Sequence, residues 1–316
     1  MSAICKICHN FLFLHPKYEV FQVFNGKNMY LIADAGSTKT HWCLVANNGD
    51  SSEFFTEGIN PFFQSAEDIR ANISDGLLPQ MAHLLWVGPI TEVYFYGAGC
   101  TPEKSVIVEQ ALAACFRKAT IISVESDMLG AAHALFGKQS GVACILGTGS
   151  NSCQYDGEKF VKNVPALGFI LGDEGSGAAL GKKLVADLLK NQLGSELKEQ
   201  FLKHFDTNQA EIIDHVYRKP FPNRYLASLS RFAADNLDNP MIAELVYDHF
   251  NQFVIRNLKQ YSGELPVGFV GSIAYYYKDI LQQVMSDNQL KVAKILQSPI
   301  SELKNYHHAL RIAAGQ

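Results

Sequence analysis

The chain has 316 residues, 47% of them hydrophobic and 18% charged, with a formal net charge of −4. That length allows two domains of ordinary size, and that composition describes a soluble globular protein, neither disordered nor coiled. A slightly acidic balance gives no footprint for nucleic acid, and apolar runs such as Gly141 to Leu146 fall far short of the roughly 20 residues that cross a membrane.

The seven cysteines form an odd set without a repeated spacing. In a chain this long that pattern reads as reduced thiols in the cytoplasm, several of them packed as small apolar residues. Residues 1–28 read as an extension upstream of the domain, of the kind a misplaced start codon would add. Phe11-Leu-Phe-Leu14 is too short for a signal peptide. Cys5-Lys-Ile-Cys8-His9 matches the haem-attachment pattern, but without the export that attachment needs it reads as coincidence.

From Met29 the pattern is regular. Met29 to Ala33 is an apolar strand ending in Asp34-Ala-Gly-Ser-Thr, His41 to Ala46 its hairpin partner, and Glu53 to Thr56 a third strand. Ala66 to Leu85 carries helical spacing, Glu92 to Tyr96 is a strand, and Glu103 to Lys118 a helix with Pro102 at its start and Thr101 as N-cap. Thr120 to Val124 is a strand and Met128 to Phe136 a helix. The order then begins again at Val142: strand, Gly-Thr-Gly turn, hairpin strands Ser152 to Tyr155 and Lys159 to Asn163. A helical region of about 177–262 precedes strand Val267 to Val270, a helix, a strand near Leu290 to Ile295 and a terminal helix. Two copies of a strand-hairpin-plus-αβ unit describe an internal duplication. The expected domains are 29–140 and 141–316, with the helical region as an insertion in the second and the last helix packing back on the first.

Two turns carry the chemistry. Asp34-Ala-Gly-Ser-Thr-Lys-Thr40 holds an acid, a glycine, hydroxyls and a cation in seven residues. Backbone N–H groups around Gly36, with the Ser37 and Thr38 hydroxyls, can surround phosphate oxygens, and Lys39 adds charge. Asp34 would hold Mg2+, through water, because that ion keeps most of its hydration shell. Taken alone the segment is equally well a plain hairpin turn. Gly147, Thr148 and Gly149 supply a second such turn at the equivalent place in the second half, and two matching loops on a duplicated fold could grip one ATP between the halves. Gly175-Ser-Gly-Ala-Ala-Leu-Gly-Lys-Lys183 lacks the spacing of a Walker A loop, and the Gly147 turn lacks the third glycine of a dinucleotide fingerprint.

From Met29 onward the sequence resembles the sugar kinase/actin/heat-shock-protein ATPase superfamily, and within it the N-acetylglucosamine kinase and BadF/BadG-type group. The stretches that carry the resemblance are Asp34-Ala-Gly-Ser-Thr-Lys-Thr, Gly147-Thr-Gly-Ser-Asn151, Gly172-Asp-Glu-Gly-Ser176 and Phe269-Val-Gly-Ser272. The resemblance implies two ribonuclease H-like α/β domains with a nucleotide cleft between them. It implies an ATP- and Mg2+-dependent kinase acting on N-acetylglucosamine or a related amino sugar, with no nucleic-acid or membrane partner. Pairing into homodimers is left open. Gly271 and Ser272 resemble the adenosine motif. Ser126-Asp127-Met-Leu-Gly-Ala-Ala132 matches the pattern of the catalytic base, so Asp127 is the candidate base, although Asp also commonly caps a helix. Asn60, Asn151 and Asp173 match positions that contact sugar hydroxyls, Asn60 being equally a turn residue before Pro61. Glu174 takes a supporting role or is a solvated loop charge. Phe62 and Phe63 depart from the aromatic arrangement of the animal kinases, and Gly97-Ala-Gly-Cys100 replaces a more acidic loop there.

Two other activities share this architecture. One is a BadF-type ATPase that activates a partner enzyme through an iron–sulfur cluster, for which Cys144 is the single candidate ligand. The other is a sugar sensor without turnover, which the presence of both Asp34 and Asp127 disfavours.

Overall fold

The computed structural model describes residues 28–85 and 88–314, so the expectations for the extension lie, apart from Asn28, outside the described residues. Strands β1 (Met29–Ala35), β2 (Lys39–Ala46), β3 (Ser51–Glu57), β4 (Ile90–Gly97) and β5 (Ile121–Ser126) form one sheet in the order β3-β2-β1-β4-β5. Strands β6 (Gly141–Leu146), β7 (Ser150–Tyr155), β8 (Phe160–Val164), β9 (Val267–Val270) and β10 (Val292–Leu296) form a second in the order β10-β9-β6-β7-β8. In each, the first strand pairs antiparallel with its hairpin partner and parallel with the fourth. The duplication read from the sequence is therefore a duplication of topology. The central strands β1 and β6 are buried on both faces, which is why they read as continuous apolar runs, whereas β3 at an edge alternates.

The helices follow local chemistry with one exception. Helix α1 (Ala66–Ala71) opens on a capping box, the Ser65 hydroxyl accepting from the Asp68 N–H while the Asp68 carboxylate accepts from the Ser65 N–H at 2.9 Å. The expected single helix to Leu85 is not continuous. It widens into a π-helical stretch, Asn72–Leu77, before α2 (Leu78–Met81). Pro79 accounts for the break: it has no N–H to give and its ring crowds the carbonyl four residues back. Helix α3 (Pro102–Cys115) has Thr101 at the N-cap position, but the Thr101 side chain makes no capping bond. In α4 (Asp127–Phe136) the cap is Ser126, whose hydroxyl accepts from the Leu129 N–H at 3.2 Å. Asp127 is thereby relieved of that duty and becomes the first helical residue.

In the second half, the short α5 (Gly168–Leu171) is followed by six helices inserted before β9: α6 (Gly177–Leu189), α7 (Ser195–His204), α8 (Gln209–Tyr217), α9 (Pro222–Leu229), α10 (Arg231–Ala234) and α11 (Pro240–Arg256). Helices α12 (Ser272–Tyr276) and α13 (Lys278–Asp287) flank β10, and α14 (Ile300–Ala313) ends the chain.

Two helices cross between the halves. From the first half, α4 buries Met128, Ala132 and Leu135 against Ala143, Cys153 and Val270 of the second sheet. From the second, α14 seats Ile300 and Leu303 against Tyr30, Ile32 and Val45 of the first. Helix α14 is also pinned by charge. Arg311 pairs with Glu92 on β4, both nearly buried, and stacks 4.7 Å over the Tyr30 ring, while Tyr94 donates to the same Glu92 carboxylate at 2.7 Å.

Candidate active site

Parallel strands β1, β4 and β5 end level, Ala35 opposite Gly97 and Gly97 opposite Ser126. Asp34, the turn Gly97-Ala-Gly-Cys100 and Asp127 therefore converge on one carboxyl edge, where ligands of open α/β sheets bind. Both residues are half-buried. Burial, then the charge of Asp127, pushes the Asp34 carboxyl up to about 7 against the pull of Lys39. Burial also raises Asp127, to about 6, opposed by backbone N–H groups, of which Met128 donates to its Oδ1 at 2.9 Å. Cys100 is packed beside them, its thiol pushed up to about 12 by burial and the nearby acids.

The first glycine turn is closed by the Gly36 N–H donating to the Lys39 carbonyl at 3.0 Å. Ser37 is held from three sides. Gly58 passes so near that a Cβ there would lie 2.5 Å from the Ser37 carbonyl. Asn60 donates to the Ser37 hydroxyl at 3.4 Å, and Arg224, from α9 of the second half, donates to the Ser37 carbonyl. Asn60 also accepts from the Phe62 N–H at 3.0 Å, so the turn role and a place beside the first glycine turn coexist. Gly99, at φ +79°, must lack a side chain because its Cβ would fall 2.5 Å from the Asn60 Oδ1. Thr38 and Lys39 are exposed, and the Lys39 ammonium lies 5.2 Å over the Phe55 ring.

The second turn is anchored differently. The Gly147 N–H donates to the Gly149 carbonyl, while the carbonyls of Gly147 and Thr148 accept from the first N–H groups of α6, at 2.8 and 3.1 Å. Gly271, at φ +126°, lies so close that a Cβ would stand 2.2 Å from the Leu146 carbonyl oxygen, which sets Gly271 and Ser272 against this loop. Asp173 holds a left-handed backbone, φ +56°, and its carboxylate sits beside Gly149 and the Ser150 N–H. Burial raises it to about 6, and the Ser150 N–H opposes that shift. Glu174 is not a free loop charge: it pairs with Arg256 of α11 at 2.7 Å and so ties down the loop that carries Asp173. Asn151 is engaged along the β7–β8 hairpin instead, accepting from the Ser152 N–H at 2.9 Å and from Asn163 at 3.1 Å.

The residues thus fall into two groups. Asp34, Ser37, Asn60 and Asp127 gather at the edge of the first sheet, while Gly147, Gly149, Asp173 and Gly271 gather at that of the second. Arg224 bridges the halves at the first glycine turn. It and Gly58 escaped the sequence reading, since Pro222-Asn-Arg-Tyr225 carries no motif and its contact spans 187 positions. A cavity of about 590 Å³ beside His133, Lys138, Tyr155 and Tyr306 holds none of these residues. It opens along the C-terminal half of α4, where His133 stands six residues, about 9 Å along the helix axis, from Asp127. Cys144 is fully buried inside β6 in the apolar core, its thiol pushed well up by burial, and it has no path to a cluster shared with a second copy.

No family model and no curated protein matches the sequence. Solved structures do. The "putative N-acetylglucosamine kinase" of Porphyromonas gingivalis is 46% identical, with a TM-score of 0.86, over 89% of this chain and 99% of that one. The protein of the same description from Chromobacterium violaceum, at 17% identity and TM-score 0.67 over 89% and 99%, shares the fold. So does the ethanolamine utilization protein EutJ from Carboxydothermus hydrogenoformans, at 12% and 0.51 over 87% and 86%. On the identity and coverage of the first of these, the chain belongs to the N-acetylglucosamine kinase-like family.

Proposed function

We propose that the protein is an ATP-dependent sugar kinase that transfers the γ-phosphoryl group to a hydroxyl of N-acetylglucosamine or a related amino sugar. The observation that carries this reading is a half-buried carboxylate, Asp127, set level with Asp34 and the Gly36 turn and released from capping by Ser126. Phosphoryl transfer needs a hydroxyl nucleophile in line with the γ-phosphate, a proton acceptor and charge stabilisation, and little else. With its pKa raised to about 6, Asp127 is ionised near neutral pH yet basic enough to take the sugar proton as the new P–O bond forms and the bond to ADP breaks. The Gly36 and Gly147 turns bind the nucleotide phosphates, Gly271 and Ser272 admit the adenosine, and Asn60, Asn151 and Asp173 hold the sugar by its hydroxyls.

The donor set fits Mg2+. Asp34 is a half-buried carboxyl with an acidic neighbour and no bonded cation, and no group of three or more acidic, His or Cys side chains able to hold a metal occurs among the described residues. Mg2+ at a phosphate site requires only one or two carboxylates, the rest of its shell being water and phosphate oxygen. Asp34 would hold it through water, and the ion would supply neutralisation of phosphate charge.

Sugar-dependent ADP release tests the proposal, with hexoses, amino sugars and their N-acetyl forms offered in turn. Release stimulated by N-acetylglucosamine or a close relative supports it. Release indifferent to every sugar points to an ATPase that serves a partner enzyme.

A further inference from the structure

Arg224 stands out among the cations of the molecule. Its guanidinium reaches from α9 across to the first half, where its hydrogen-bond partner is the Ser37 carbonyl, a neutral group in the middle of the phosphate turn. Among the described residues no carboxylate lies within 4 Å of it, although Arg218, Arg256 and Arg311 each have an acidic partner. The guanidinium is held in place by the Phe221 ring, 4.1 Å away. The turn's own cation, Lys39, is engaged elsewhere, over Phe55. A part-buried guanidinium without a counter-charge, parked on a backbone carbonyl of a phosphate turn, is poised for an anion. Exchanging a neutral acceptor for phosphate oxygen turns a hydrogen bond with one charged partner into one with two, and the planar fork can make two at once.

We propose that Arg224 is a positioning residue that reads the terminal phosphoryl group of ATP, leaving the Ser37 carbonyl for the γ-phosphate and thereby drawing the helical insertion onto the first half. The insertion thus reports which nucleotide is bound: ADP leaves Arg224 on Ser37, and ATP pulls it in. This rests on the ATP-dependent reading above and adds to it a residue and a distinction between the two nucleotides.

Calorimetric titration with ADP and with a non-hydrolysable ATP analogue, in Mg2+, tests the idea on the wild type, Arg224→Met and Arg224→Lys, with melting curves to certify folding. The expected result is that Arg224→Met loses roughly tenfold or more in affinity for the ATP analogue, the scale of one hydrogen bond to a charged group. ADP affinity should stay within about threefold, and Arg224→Lys should recover part of the loss as a point charge would. Equal losses for both nucleotides would reduce Arg224 to a strut for the turn, and unchanged affinity for both would leave it no role; either overturns the inference while the kinase reading stands. A wild type that binds neither nucleotide overturns both. Should Arg224→Met fail to fold, Arg224→Lys carries the test, since retention of the full wild-type preference for the ATP analogue with no loss of turnover contradicts bidentate reading.

Discussion

The carboxyl of Asp34 on β1 lies within electrostatic reach of Asp127, the first residue of α4, and the charge of Asp127 helps raise the Asp34 pKa to about 7. Strand register makes the pairing: three parallel strands end level, and the two acids lie at and just beyond those ends. One carboxylate beside the first glycine turn and one at the head of α4 suit the two acidic roles of phosphoryl transfer, holding a cation and accepting a proton, and position assigns them, since Asp34 is raised further than Asp127.

Asp127→Asn is therefore expected to lower turnover by about 10²- to 10⁴-fold, the range for losing a general base. Nucleotide affinity should remain within a few-fold and the fold intact, because Ser126 keeps the cap. Steady-state rates set beside calorimetric nucleotide binding check this. Substantial retained activity would make Asp127 a structural residue.

As the base, Asp127 would have to be ionised to act. With the pKa at about 6, kcat/KM should fall about tenfold per pH unit below that value and level off above it. Asp127→Glu, with a different carboxylate in the same place, should displace the inflection if the limb belongs to this residue.

Stability should run the other way. Asp34, Asp127 and Asp173 are raised from 3.8 to about 7, 6 and 6, so the folded chain holds protons that the unfolded chain has released. Their stabilising contribution is complete below about pH 4 and is lost as pH rises through 6 to 7. His41, His133, His249 and His307, held low by burial, act in the opposite sense over this range, so the carboxyl contribution is read as a difference: Asp34→Asn should stabilise the nucleotide-free protein relative to wild type more at about pH 8 than at about pH 5. Thermal denaturation of both proteins, followed by circular dichroism at several pH values, decides it, a difference in melting point that stays constant or shrinks as pH rises being the contrary result.

The pin on α14 gives a fourth expectation. Arg311→Met strands Glu92 as a buried charge, which costs about 3–5 kcal/mol, whereas Glu92→Gln with Arg311→Met removes both charges and should recover part of the loss. Urea denaturation of the two variants separates these outcomes.

Much of this arrangement is legible in the sequence because the signals are local. Strands β1 and β6 are buried on both faces and each ends in a glycine turn, so the repeat shows as two apolar runs with matching punctuation. Ser126-Asp127 ahead of small residues marks a helix start, although which of the two caps the helix is settled only by geometry, in favour of Ser126. The π-helical stretch escaped because the spacing of Ala66 to Leu85 is helical throughout, and the missing N–H of Pro79 acts on backbone that periodicity does not see. What joins distant segments had no local trace at all: Arg224 on Ser37, Gly58 pressed against the same residue, and α4 crossing to the second sheet.

The claim that the site phosphorylates a sugar is tested most directly by mass spectrometry of the sugar after incubation with ATP and Mg2+, wild type beside Asp127→Asn. The account predicts N-acetylglucosamine or a related amino sugar carrying one added phosphoryl group with the wild type, matched by ADP, and little or none with the variant. ATP converted to ADP and inorganic phosphate with every sugar unmodified would contradict it.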